Sequence, residues 1–234
     1  MMNSVCSVMT VPAAADDGQD TIQLSFPERE DFLLAWTLKN CAGNSVVGLE
    51  EGWDLLNRYG IEVIHRFLNR KTSNGESKKP IGSKGFASLY TISYKLSTVS
   101  RINLIDHARD LYDRCKQSVE DFVQTNIVQK LHQMLLEEGI DFLREYADSW
   151  SKHKTLTNWM WRLCKNLDKT VVRTEDLPPL TACYMTCFYE QVFLQFNAHT
   201  RICILQCYAK DREGNFCPAS RRILQEVIEV RDAT

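Results

Sequence analysis

Residues 146–172 read Y-A-D-S-W-S-K-H-K-T-L-T-N-W-M-W-R-L-C-K-N-L-D-K-T-V-V. The stretch holds no Pro and no Gly, and its apolar residues recur at helical spacing. Trp159, Leu163 and Leu167 fall at i, i+4 and i+8, and Met160 and Cys164 widen the stripe. Arg162, Lys165, Asn166 and Lys169 make the opposite, polar face. That face is either solvated surface or one half of a docking site. No catalytic grouping stands in it, so what matters is what the helix presents.

Working outward, the chain before and after repeats this helical pattern. Leu104 to about Leu136 sets Leu111, Cys115, Val119, Phe122, Val123, Ile127 and Leu131 inward, and Gly139 separates it from a further helix that opens I-D-F-L-R-E-Y-A. D-L-P-P-L at 176–180 is the cleanest break, because Pro cannot continue a helix. Thr181 to Tyr208 is helical again, with Gly214 as its C-cap, and Pro218 turns the chain into a last segment. Upstream, Trp53, Leu56, Ile61, Ile64 and Phe67 share one face of a helix that runs through Gly60. Residues 70–85 read as a basic Gly/Ser/Pro linker. F-A-S-L-Y-T-I-S-Y-K-L at 86–96 carries two stripes, aromatic (Phe86, Tyr90, Tyr94) and aliphatic (Leu89, Ile92, Leu96). Two stripes on one helix mean that it is nearly enclosed or that one stripe faces a partner. Residues 1–48 are expected to form a largely disordered extension, with a short helix over Phe32–Leu38. The fold class predicted is all-α, an antiparallel helical bundle spanning 49–230.

Bulk properties exclude several functions. Of 234 residues, 44% are hydrophobic and 25% charged, as in ordinary globular chains. A formal net charge of -2 gives no basis for nucleic acid or an anionic membrane as main partner. No apolar window approaches the ~18 residues of a membrane span, and the N-terminus lacks the basic flank of a signal peptide. Nine irregularly placed cysteines fit reduced thiols in the cytoplasm or nucleus. Phosphate-cradling glycine motifs and H-E-x-x-H are absent from the sequence. Cys183/Cys187 and Cys203/Cys207 are spaced for one helix face each, but the pairs lie about 30 Å apart along a straight helix and cannot share an ion. They read as buried apolar cysteines, so no metal, no cofactor and no enzymatic activity are expected.

Five of these segments, in order, resemble the first repeat of the cullin family, especially the SCF-type cullin of plants. They are L-E-E-G-W at 49–53, F-A-S-L-Y-T-I-S-Y at 86–94, and W-S-K-H-K at 150–154 leading into W-x-x-R-L-x-x-x-L-D-K at 159–169. L-P-P-L at 177–180 with T-C-F-Y-E-Q-V-F at 186–193, and K-D-R-E-G at 210–214, complete the set. The resemblance covers about 180 residues and implies a scaffold rather than a catalyst. In the family, the second and fifth helices of this repeat hold a Skp-type BTB-fold adaptor, which holds an F-box substrate receptor. Carried over by position, the contacts are Phe86, Ala87, Tyr90 and Tyr94 on the second helix and Trp159, Arg162, Asn166 and Lys169 on the fifth. A docking role then predicts that Tyr90 and Trp159 are substantially exposed. Asn166 stands where the family has Tyr, Ala87 is smaller than the family's Met or Ile, and Tyr189 replaces an Arg; together these imply a relaxed adaptor site. The family's later repeats and its RING-recruiting domain have no counterpart in these residues. No RING subunit is expected on this chain alone; it is expected to be either a fragment of a longer cullin or, if it stands alone, a decoy that competes for the adaptor. The competing expectation is a bundle whose adaptor face has decayed.

Overall fold

A computed structural model describes residues 26–43, 45–70, 79–98, 105–136, 139–212 and 218–233. Among these, every regular element is helical. Helix α1 is Phe26–Asn40, followed by α2 (Leu49–Leu56), α3 (Glu62–Asn69), α4 (Ser83–Thr98), α5 (Ile105–Phe122) and α6 (Gln129–Gln133). The second half holds α7 (Gly139–Cys164), α8 (Val171–Glu175), α9 (Leu180–Phe188), α10 (Leu194–Arg212) and α11 (Pro218–Ala233). Three pairs of these are single rods interrupted by one π turn, at Asn57–Ile61, Val123–Val128 and Tyr189–Phe193. Each π turn admits one extra residue without ending the rod.

Helix α7 is the axis of the molecule. It packs against α3, α4, α5, α9, α10 and α11, with α10 crossing its first turns and α4 meeting its last ones. Its core stripe contains Phe142, Leu143, Leu156, Met160 and Leu163, all essentially inaccessible. Gly139 opens it where α10 crosses, and a Cβ there would sit 2.9 Å from Gln206 Oε1. Close approach is also bought with glycine at α2: a Cβ on Gly52 would lie 2.9 Å from both terminal carbons of Leu96 on α4. The inward residues expected of the 104–136 pattern, Leu111 through Leu131, are all buried.

The D-L-P-P-L break is an ordered corner. Asp176 turns left-handed at φ 53, and Tyr112 Oη donates to the Pro178 carbonyl at 2.7 Å. Leu180 N, the first amide of α9, donates to Asp168 Oδ1 at 3.1 Å, so a distant carboxylate caps that helix.

Three expectations need correction. The 146–172 stretch is not one helix: its first part completes α7, which starts at Gly139, and the rest breaks into a 3₁₀ turn (Leu167–Lys169) and α8. Helix α4 begins at Ser83, inside the expected linker. The expected disordered extension is ordered from Phe26, and α1 lies along α4 with Leu33, Thr37 and Cys41 buried against it. Residues 1–25, 71–78 of the linker, Gly214 and Cys217 lie outside the described residues.

Candidate functional site

Helix α4 forms because its apolar residues keep helical spacing and its small residues allow neighbours in. Leu89, Ile92 and Leu96 are buried, as are Gly85, Ser88, Ser93 and Ser97 between them. The aromatic stripe runs down the side facing the end of α7 and rises gradually out of the core. Phe86 and Tyr90 are half-buried, and Tyr94 is 46% exposed. Ala87 is exposed beside them.

From α7 come the opposing groups. Phe86 stacks on Tyr90 at 6.4 Å and meets Trp159 edge-on at 5.9 Å. Such edge-to-face pairs are worth about 0.5–1.5 kcal/mol beyond area burial. The Arg162 guanidinium lies 4.9 Å from the centres of both the Phe86 and Trp159 rings, and Lys165 Nζ lies 5.2 Å from the Tyr90 ring. Below this roof, Tyr90 Oη donates to Asn166 Oδ1 at 3.3 Å. The result is a continuous strip: aromatic side chains from one helix, capped by two cations from the other. Cations over aromatic faces contribute about 0.5–1 kcal/mol each at exposed sites and hold the charges in place.

The eight residues expected to contact an adaptor divide unequally. Phe86, Ala87, Tyr90, Tyr94 and Arg162 are brought together on one surface. Trp159 is a correction: it is only 8% exposed, because it heads the same stripe as the fully buried Leu163 and Leu167 and is covered by Phe86 and Arg162. Asn166 is a second correction, at 6% exposure, serving as the internal partner of Tyr90 rather than as surface. Its Nδ2 is buried without a partner among the described residues. Lys169 is exposed, but in the 3₁₀ turn beyond the helix. Asp168, the acid between them, is engaged with Leu180 N. Trp161, 38% exposed on the outer face of α7, and Lys165, just past its end, were not singled out as contacts. For Trp161 the W-M-W triplet was the signal: consecutive helical residues point about 100° apart, so Trp159 and Trp161 cannot both face inward.

The chemistry of the remaining polar groups is that of a core. Cys115 and Cys164 thiols meet at 3.1 Å, and the contact with Cys164, together with burial, pushes the Cys115 thiol up. Burial pushes Cys187 up to about 12. Thiols held protonated are poor nucleophiles. Burial likewise pulls His65 and His153 down to about 4, holding both neutral. Among the described residues no group of three or more His, Cys, Asp or Glu side chains could hold a metal ion, and no helix is long and apolar enough to cross a membrane.

Comparison with known proteins places this geometry. Residues 58–233 match the family model described as the Cullin alpha solenoid domain. The chain is 24% identical over 185 residues to Cullin-1 of Oryza sativa subsp. japonica, covering 79% of this chain and 23% of that protein. It is 27% identical over 182 residues to the putative cullin-like protein 1 of Arabidopsis thaliana, covering 78% of this chain and 23% of the relative. With putative cullin-like protein 2 of the same plant it shares 24% identity over 186 residues, 79% of this chain and 46% of the relative. The chain thus spans between about a quarter and a half of the relatives it matches. Helices α1 and α2 precede the matched region. An all-α bundle built around α7, matched over three quarters of its length by one family model, belongs to the cullin family.

Proposed function

We propose that this chain is a non-catalytic scaffold module of a cullin–RING ubiquitin ligase, holding a Skp-type BTB-fold adaptor, and through it an F-box receptor, on the strip between α4 and the end of α7. One observation supports this most: the strip sets Tyr94, Tyr90, Phe86 and Ala87 beside Arg162 and Lys165 on one accessible surface. Aromatic residues and Arg are the groups that dominate protein–protein hot spots, and a cation rim suits a partner surface rich in carboxylates. The exposed charges of this strip, Arg162 and Lys165, are both positive, which favours an acidic partner over a neutral one. Trp159 and Asn166 support the site from beneath without touching the partner.

Calorimetric titration of the purified chain with a Skp-type adaptor tests the reading, with Tyr94→Ala as the variant because Tyr94 is the most exposed of the three aromatic residues. Sub-micromolar binding, weakened tenfold or more in the variant, is expected; tenfold corresponds to about 1.4 kcal/mol. The same chain is expected to displace adaptor from a full-length cullin, since both would use one adaptor surface. A second reading, a bundle whose adaptor face has decayed, draws on the burial of Trp159 and Asn166. A folded, helical chain that binds no adaptor would establish it.

A further inference from the structure

Helix α1 has two apolar faces, and only one is used. Leu33, Thr37 and Cys41 are buried against α4, while Leu34, Leu38 and Ala42 run beside them on the outside. Leu38 is 68% exposed and Leu34 36% exposed. With Ala87 and Thr91 of α4, these three residues line an open groove of about 290 Å³. The helix is fixed in this place at both ends. Glu30 packs over Gly82 and Gly85 at the start of α4, where any Cβ would collide with its carboxyl group. Lys95, at the end of α4, donates to the Gly43 carbonyl just beyond α1.

Ala87 lies in this groove and in the strip described above, so the two surfaces are continuous across one turn of α4. Arg162 and Lys165 flank the strip, and Glu28 and Asp31 are exposed acids of α1. The combined surface is apolar along its floor, with a cationic margin at the strip.

We infer that α1 extends the adaptor site: the same adaptor that docks on α4 and α7 lays an apolar segment with acidic flanks into the α1–α4 groove, against Leu34 and Leu38. This rests on the proposed adaptor docking. It adds to it a contact region outside the residues matched by the family model. A second apolar patch joined to the first would offset the aromatic side chain that Asn166 does not provide at the strip.

The test is calorimetry of the full chain with a Skp-type adaptor, comparing Leu38→Glu, Tyr94→Ala and Leu205→Glu. Leu205 is a matched control on α10, as exposed as Leu38 at 68%. Circular dichroism melts verify that all three variants fold, and light scattering reports self-association. Leu38→Glu is expected to weaken adaptor binding tenfold or more, while Leu205→Glu binds like the wild type. Hydrogen exchange over residues 34–42 is expected to slow when adaptor is added. If Tyr94→Ala weakens binding but Leu38→Glu does not, the groove plays no part and the inference is overturned, while adaptor docking stands. If Leu38→Glu instead abolishes a concentration-dependent dimer and leaves adaptor affinity unchanged, the occupant is a second copy, and the inference is again overturned. Failure of the wild-type chain to bind adaptor overturns both.

Discussion

Lowering the pH should destabilise this bundle through His153, and the size of the effect follows from where the ring sits. His153 is completely inaccessible on α7, with its ring 6.0 Å from Trp150 and 4.8 Å from Phe188. Its one side-chain partner is the Thr157 hydroxyl at 3.4 Å. Burial disfavours the charged ring and brings it from 6.5 down to about 4, with the Tyr184 backbone opposing slightly. Because the folded value is depressed, the unfolded chain binds the proton more readily at every pH below about 6.5. Stability is therefore intact above about 6.5 and is lost as pH falls from there towards 4. Integrated from pH 7.5 to 4.5, this one group removes about 2–3 kcal/mol, a large share of a typical domain's stability. His65 titrates in the same direction for the same cause, but it is partly accessible and so contributes less. The assay is urea unfolding at the two pH values for the wild type and for His153→Phe. Phe keeps the aromatic contacts and removes the proton. Other titrating groups act alike in both proteins, so the difference between their pH dependences isolates His153. The variant should lose about 2–3 kcal/mol less than the wild type over this range. Equal losses in the two proteins would show that the ring is already charged or solvated in the folded state, and the assignment of burial as the governing effect would be wrong.

Trp159→Ala should lower stability by about 3–5 kcal/mol, as for other buried aromatic truncations, whereas Tyr94→Ala should leave the melting temperature nearly unchanged. Thermal melts of both variants, set beside their adaptor affinities, separate the support of the strip from its surface. Asp168→Ala removes the acceptor of the first α9 amide and should cost about 1 kcal/mol, the typical value of a helix cap, read as a lower urea midpoint with an unchanged slope. Gly52→Val should destabilise by about 1–3 kcal/mol, because its Cβ would meet the Leu96 side chain at 2.9 Å and force α2 away from α4.

The sequence was most legible where one face of a helix is apolar and the other polar. The run from Leu111 to Leu131 is of this kind, and every residue assigned inward from it is buried. Helix α1 was legible only in part, as a short helix over Phe32–Leu38, and its full span and its packing on α4 were hidden for the opposite reason. Its core stripe includes Thr37, whose hydroxyl is satisfied by the Leu33 carbonyl at 2.7 Å, while Leu34 and Leu38 face solvent. A polar residue inside and leucines outside erase the periodicity by which a packed helix is recognised. The π turns were also hidden, since one additional residue in a rod shifts the apolar stripe without breaking it.

At the candidate site, two lines of sequence reasoning pulled against each other, and the structure shows where each applies. Spacing placed Trp159 with Leu163 and Leu167, inside; resemblance to cullins made it a contact. The residue is buried, so spacing governs its own side chain. Yet Trp159 still shapes the surface, because its ring and that of Phe86 hold Arg162 between helix and solvent. Asn166 departs from both lines: spacing put it on the polar face, but α7 ends at Cys164, and the side chain turns inward and positions Tyr90 through a hydrogen bond. The proposed docking strip has two layers. The inner one follows the rules of a core and is visible in the periodicity of a single chain. The outer one, Tyr94, Ala87, Arg162 and Lys165, shows in the same periodicity only as an aromatic stripe and a polar face, and spacing alone does not say whether such a face meets solvent or a partner.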